Sequence, residues 1–476
     1  MSQDPAERPE DAGDTSSWEQ LLSSMLGPEA AAQAIEAMKQ AGMDPAAMGA
    51  AAGLPSDANA LAPLMQQMQA LMQPDGSGPV NWRLAQDLAR RTAFTGGDPS
   101  ISASEAEAVR SALQAADLWL DVATSLPPAG GAREALTRAT WVERTLPTFR
   151  TLAEPIAASM SRALSEAITR QLSDAPEEFR AFGAQLGGED GMLGQIGQAV
   201  YGMQLGQAVG TLAREALGTT DVSIPLLSGA GAALVPSNVA DFAEGLDTPL
   251  DEVRLYLAVR ELAHARLFAH SPWLRAGVED AVTTYARAIS IDTGAIEQAV
   301  QSVDPTDPDA LREAMSGGVF DQDDTPEQAA ALERLATLLA LVEGWVDVVT
   351  TQATAPHLPQ AVALGEMIRR RRATGGPAER TFATLVGLEL RPRSLREASR
   401  LWSLYGAERG IEERDALWAH PDVLPTSEDL ADPEGFAARR EQASTESSDV
   451  DTFLSSLFGD DDTGPGPADT ERTDTE

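Results

Sequence analysis

The stretch LDEVRLYLAVRELAHARLFAHSP, Leu250 to Pro272, decides how the rest of the chain is read. Thr248 and Pro249 supply an N-cap and a first helical position, Asp251 and Glu252 suit the positive end of the helix dipole, and Pro272 stops the helix. Val253, Leu257, Arg260, His264 and Leu267 recur at steps of four, three, four and three, which traces one face of an α-helix. Arg260 and His264 therefore stand one turn apart on the stripe that should be buried. A guanidinium without a partner is very costly there, so another part of the chain has to bring it an anion.

A second long helix provides one. It opens with the capping pattern Thr325-Pro326-Glu327-Gln328, and Leu332, Leu335, Leu339, Val342, Val346 and Val349 mark its core face. Between Ala336 and Ala355 its only charged residues are Glu343 and Asp347, four apart and hence neighbours on the helix surface. Two acids set in the apolar run LATLLALVEGWVDVVTTQA need a cation as much as Arg260 needs an anion. Pairing the two helices satisfies both.

Composition limits the rest. The chain has 476 residues and a formal net charge of -38, from 73 acidic against 35 basic side chains. Such acidity argues against nonspecific binding of nucleic acid or anionic membrane, and aromatic residues, 5% of the chain, are not interleaved with basic ones as a base-stacking platform requires. There is no cysteine, which removes disulfides, thiolate metal sites and cysteine nucleophiles. The acidic start MSQDPAERPEDAGDTSS lacks a signal-peptide pattern, so a cytoplasmic location is expected. The uncharged run Gly191 to Ala213 carries Gly202, Gly206 and Gly210 at the close-packing spacing, but glutamines interrupt it, and a buried helix is expected in place of a membrane span. No phosphate-binding glycine loop, dinucleotide fingerprint or Gly-x-Ser-x-Gly elbow is present.

The expected fold class is mainly α (α+β). Residues 1–15 read as a disordered acidic N-terminus, 16–78 as a small helical cap rich in alanine and methionine, 79–437 as the main domain, and 438–476 as a disordered acidic tail. Helical patterns cover about 81–93, 103–125, 131–146 and 149–172. DVSIPLL at 221–227 and AALVP at 232–236, joined by Ser228 to Gly231, predict a β-hairpin just ahead of the organising helix. A polar connector runs from Asp304 to Asp324, and the basic run Arg369 to Arg372 is expected to form an internal salt-bridging surface. LLSSMLG at 21–27 is echoed by FLSSLFG at 453–459, each a short amphipathic segment.

Arg260-Glu261-Leu262-Ala263-His264 resembles the His-Glu-x-x-His helix of zincin metallopeptidases with its first histidine replaced. VNWRLAQDLAR (80–90), VPSNV (235–239), RELAHARLFAHSPWLR (260–275), LVEGWVDVV (341–349), LVGLELRP (385–392) and DALWAHPDVLPTSEDLADP (415–433) are more specifically similar to an actinobacterial zincin-like family described as hydrolases or zinc-dependent metalloproteases. The resemblance implies a zincin-like helical domain with a small β-hairpin or sheet, zinc as cofactor, and hydrolysis of peptide bonds. It implies Glu261 as general base, His264 and Glu343 as metal ligands in the gluzincin manner, and Asp347 as support behind a ligand.

Arg260 occupies the remaining ligand position and cannot serve, since a guanidinium has no lone pair to give. His270 follows His264 by six, the spacing of a third metzincin histidine, but Leu267 stands where that branch has a glycine turn. His357 and His420 fall at predicted helix ends as loop or capping residues. Arg260 is thus expected to stand in for the metal, held by Glu343 with Glu261 or Asp347 nearby. Three functions stay open: a zinc metallopeptidase-like hydrolase, a catalytically inactive pseudoenzyme that keeps a cleft for peptides or proteins, and a helical adaptor. Neither nucleic acid nor a membrane span is expected.

Overall fold

A computed structural model describes residues 78–172, 192–287, 325–376 and 393–443, with 289 and 445 besides. All belong to the unit Ser77–Glu476. The expected cap and N-terminus, the 304–324 connector, the acidic tail from 446 onward, the paired LLSSMLG and FLSSLFG segments, and LVGLELRP lie outside the described residues.

The described chain is mainly helical. In order come α1 (Trp82–Phe94), α2 (Ala103–Leu120), β1 (Ala132–Ala135), α3 (Arg138–Leu172), α4 (Met192–Ala213), β2 (Gly231–Leu234), α5 (Pro236–Ala243), α6 (Leu250–His270), α7 (Pro272–Arg287), α8 (Pro326–Thr354), α9 (Ala361–Ala373), α10 (Arg393–Arg409), α11 (Ile411–Ala416) and α12 (Ser427–Ala431). Local chemistry starts several of them. Asn81 caps α1, and α2 and α8 open with reciprocal capping boxes, Ser102 with Glu105 and Thr325 with Gln328.

Two sequence expectations about α3 fail for one reason. The 131–146 pattern gives β1 at Ala132–Ala135 and is helical only from Arg138, and from there it runs with the 149–172 pattern as a single helix that contains Pro147 and Pro155. Trp141, Val142, Leu146, Phe149, Leu152, Ala153 and Ile156 are all buried, so the apolar stripe runs unbroken through Pro147. Packing along that stripe outweighs the hydrogen bond each proline removes.

The expected hairpin is also corrected. Residues 221–227 form no strand, and β2 pairs in parallel with β1, Ala132 opposite Gly231 and Ala135 opposite Leu234. Ser223 lies at a positive φ of 66°, its N–H bonds back to Thr220 O, and Leu226 N–H bonds to Thr219 O. The 219–226 segment thus closes on itself and has no backbone left for a ladder. The other edge of β2 is occupied too, by an antiparallel bridge between Gly218 and Leu234 and by Val235 N–H bonding to Leu217 O.

The glycine spacing in α4 has a packing cause. A methyl group at Gly202, Gly206 or Gly210 would come within 2.7 Å of Asn81 O, 2.6 Å of Ala85 O or 2.5 Å of Thr92 Cβ, so α1 and α4 touch backbone to backbone. No described helix is long and apolar enough to cross a membrane.

α6 lies at the centre, against α2, α5, α7, α8, α9 and β2. Its first turn starts one residue later than expected: Pro249 is the N-cap, and Thr248 makes no cap. Every residue from Tyr256 to Phe268 is buried, so the helix is enclosed on all sides where the sequence suggests one apolar face. α8 runs beside it and carries α10 on its far side, where Gly344 lets Ala398 approach. Trp345, Trp402 and Trp418 close that end, with Trp402 stacked on Trp418 at 5.2 Å.

Candidate functional site

The enclosed face of α6 meets α8 at a single carboxylate. Arg260 Nη2 donates to Glu343 Oε2 at 2.8 Å, and His264 Nε2 lies 2.9 Å from Glu343 Oε1. A second guanidinium comes from α9, where Arg372 Nη2 pairs with Glu343 Oε1 at 2.9 Å. Arg260, His264 and Glu343 are all buried. The other ring nitrogen of His264, Nδ1, lies 2.9 Å from Arg260 O. Both ring nitrogens therefore lie against oxygens.

The electrostatics follow from this crowding. Burial alone would favour the neutral acid of Glu343, but Arg372, His264 and Arg260 hold its carboxyl well below the usual carboxylate range. Burial likewise works against the Arg260 cation, yet Glu343, with Tyr256 and Asp347 beside it, keeps it protonated above the ordinary arginine value.

Asp347, one turn along α8, faces a different arginine. Arg369 Nη1 reaches its two oxygens at 3.1 and 3.2 Å, and Ser399 Oγ donates from α10 at 3.3 Å. Arg369 and Arg372 are three apart on α9 and meet acids four apart on α8, so the two helices are buttoned together by matched ion pairs. The expected internal salt bridging of the basic run is what the structure shows.

Glu261 points elsewhere. Its Oε1 accepts from Thr219 N–H at 2.8 Å and from the Thr219 hydroxyl, with Ala233 N–H at 3.4 Å, and its Oε2 accepts from Thr220 Oγ1 at 2.6 Å. Burial pushes its carboxyl up, against the pull of those hydrogen bonds. A methyl group on Gly218 would sit 2.4 Å from Glu261 Oε2, so only glycine lets the loop close over the carboxylate. Glu261, Arg260 and His264 nevertheless line one small, partly open cleft of about 30 Å³, together with Gly218, Thr220, Asp221, Arg371 and Arg372.

The structure thus brings together Arg260, His264 and Glu343, as the sequence leads one to expect, and keeps Glu261 and Asp347 off that contact. His270 is exposed, with Nε2 3.0 Å from Pro127 O, and takes no part. His357 stacks on Trp119 at 4.4 Å, and His420 caps the short helix Pro421–Val423. Arg372 and the Thr219-Thr220 pair are the participants that sequence reasoning misses. Arg372 carried a signal, as one of four consecutive arginines near two buried acids, whereas nothing in Gly218-Thr219-Thr220 announces a partner 40 residues on.

A family model for zincin-like metallopeptidases matches residues 80–437, three quarters of the chain. The chain belongs to that family. No curated protein matches this zincin-like chain in sequence. Among solved structures, a crystal structure of a candidate hydrolase with a novel fold from Chloroflexus aurantiacus is similar, with 21% identity over 76% of this chain and 99% of that one, at a TM-score of 0.54. At that identity the likeness is one of fold.

Zinc is what zincin-like proteins lead one to test for, and the donor set here does not fit it. Arg260 has no lone pair, both nitrogens of His264 face oxygens, and both oxygens of Glu343 are held by cations. A catalytic zinc site takes three protein ligands and an open position. Among the described residues, no group of three or more His, Cys, Asp or Glu side chains is placed to hold a metal ion.

Proposed function

We propose that this zincin-like protein is a non-catalytic member of its family, which keeps the cleft beside α6 for binding a peptide or protein segment and has exchanged the metal for fixed positive charge. One observation carries the reading: Arg260, His264 and Arg372 converge on Glu343. Arg260 stands where the motif would have its first histidine, and the charge of the cluster neutralises a buried acid as a cation would. The family membership supports hydrolase ancestry. For hydrolysis itself, Glu261 would have to act as base with His264 and Glu343 as ligands, yet its oxygens are committed to Thr219, Thr220 and Ala233.

The test is metal analysis of full-length protein purified without chelator. Wild type is expected to hold far less than about one zinc per chain, while Arg260→His combined with Arg372→Ala restores a second imidazole, frees Glu343 and takes up about one. Stoichiometric zinc in wild type, together with peptide cleavage that Glu261→Gln abolishes, would overturn the proposal.

A further inference from the structure

A cleft of about 30 Å³ has room for a water molecule or two and none for a peptide. Binding at α6 therefore requires part of its surroundings to move. One element forms the cover. α9 contributes Ile368, Arg371 and Arg372 to the lining of the cleft, beside Arg260, Glu261 and His264 of α6.

α9 is held differently at its two ends. Near its start Leu358, Ala361 and Leu364 are buried, and a short turn joins the helix to α8. Its last turn is held by arginines. Arg369 pairs with Asp347 and Arg372 with Glu343, both acids on α8. Arg372 also donates to Ser223 Oγ and Asp221 O, each at 3.0 Å, and Arg371 donates to Glu215 O at 2.5 Å. The arginine end thus spans from α8 to the 215–223 segment and ties the two together over the α6 face.

That grip is mostly polar. Of the residues that α9 buries, only Leu364 and Ile368 carry more than a methyl group, so little apolar surface holds the helix down. The side chains of Arg369 and Arg371 are 31% and 25% exposed, and water can replace what they bind. The contact beneath α9 is also incomplete. The Tyr256 hydroxyl of α6 is buried without a hydrogen-bond partner among the described residues. Gly365 packs against it, since a methyl group there would come within 3.2 Å of the hydroxyl oxygen. Such a hydroxyl gains a partner from water once its cover lifts, which lowers the cost of opening.

We propose that α9 is a hinged strap over the α6 site. It pivots on the turn at 355–360, its arginine end releases Glu343, Asp347 and the 215–223 segment, and the face beneath opens to a peptide. The inference rests on the preceding reading that the site binds a peptide, and adds how access to it is controlled.

The chain has no cysteine, so a single Leu257→Cys substitution in the lining reports opening without background when full-length protein is labelled with dithionitrobenzoate. This parent should label at a rate that barely changes in low urea, because lifting a strap exposes far less surface than global unfolding. Adding Arg369→Gln and Arg372→Gln should speed labelling at least about tenfold. Arg370→Gln, which alters an exposed arginine paired with Glu366 on the same helix, should leave the rate unchanged. Labelling that rises with urea as steeply as global unfolding would overturn the inference, and this outcome decides even if the double variant does not fold. Equal rates in the double variant and its parent, or equal acceleration by Arg370→Gln, would overturn it too. Zinc measured on wild type alongside separates the two claims: metal-free protein whose α9 stays shut sinks this inference alone, whereas stoichiometric zinc sinks the reading beneath it.

Discussion

Two buried charge clusters in this protein invite comparison. In one, Arg414 and Asp415 are both fully enclosed and pair at 2.8 Å. Asp415 also accepts from Thr124 Oγ1 at 2.6 Å, Ser125 N–H at 2.8 Å and Trp345 Nε1 at 2.8 Å, while Arg414 donates to Ala123 O at 2.7 Å and Gln352 Oε1 at 3.0 Å. One cation meets one anion, and the remaining donors and acceptors find neutral partners. In the other cluster two guanidinium groups and an imidazole crowd one carboxylate at the edge of the cleft. The first arrangement is complete in itself and ties the segment after α2, Ala123 to Ser125, to α8 and α11. The second gathers several donors on one carboxylate and lies beside the cleft, which is how a site differs from a strut.

The comparison can be broken most severely at the strut. Arg414→Ala leaves Asp415 charged, buried and without its counter-ion, and is expected to cost about 3–5 kcal/mol in urea denaturation. A loss below about 1 kcal/mol would mean that Thr124, Ser125 and Trp345 carry Asp415 unaided.

At the cleft the corresponding change is smaller. Glu343→Gln removes the anion from among Arg260, His264 and Arg372, but Arg372 keeps Ser223 Oγ and Asp221 O as acceptors, each at 3.0 Å, so about 2–3 kcal/mol is expected. The pH profile gives the sharper reading. The folded-state carboxyl of Glu343 is held well below its unfolded value of about 4.5, so its stabilisation is present above that pH. As the pH falls below about 4.5, the unfolded chain takes up the proton first and the stabilisation drains away. The gap between wild type and Glu343→Gln should therefore narrow from pH 4.5 downward. A constant gap would show that Arg372, His264 and Arg260 do not favour the ionised acid.

What could be read beforehand, and what could not, follows the range of the interactions involved. The α6 helix, the capped start of α8 and the Arg260–Glu343 pairing were legible because each rests on short spacing or on a buried charge that must be answered. The Arg414–Asp415 strut was not, because its members sit in an ordinary-looking run and draw their partners from residues 123 to 125 and from α8. The strand pairing went wrong for a related reason. DVSIPLL has the composition of a strand, but Pro225 and the turn at Ser223 prevent it from pairing, and β2 finds its partner about 100 residues upstream in AREA, a segment with no strand signature. Likewise His264 and Arg260 could be placed by periodicity, whereas the orientation of Glu261 depends on a loop closing over it at Gly218.

Glu261 offers the smallest expected effect and the finest test of what the cleft has become. Burial raises its carboxyl above about 4.5, so its contribution to stability is full below that value and is lost as the pH rises through the folded-state value. Glu261→Gln removes the ionisation and keeps the shape: the amide oxygen can accept from Thr219 N–H, and the Thr220 hydroxyl can rotate to accept from the amide nitrogen. The variant is therefore expected to lie within about 1 kcal/mol of wild type at pH 7 and to gain on it steadily as the pH is raised from 4.5. A general base with the same raised carboxyl would show that slope as well, and its loss would in addition abolish turnover. In the proposed non-catalytic protein the same substitution changes only that slope, so peptide cleavage measured beside thermal unfolding across pH separates a carboxylate kept for chemistry from one kept to anchor the loop at the cleft's edge.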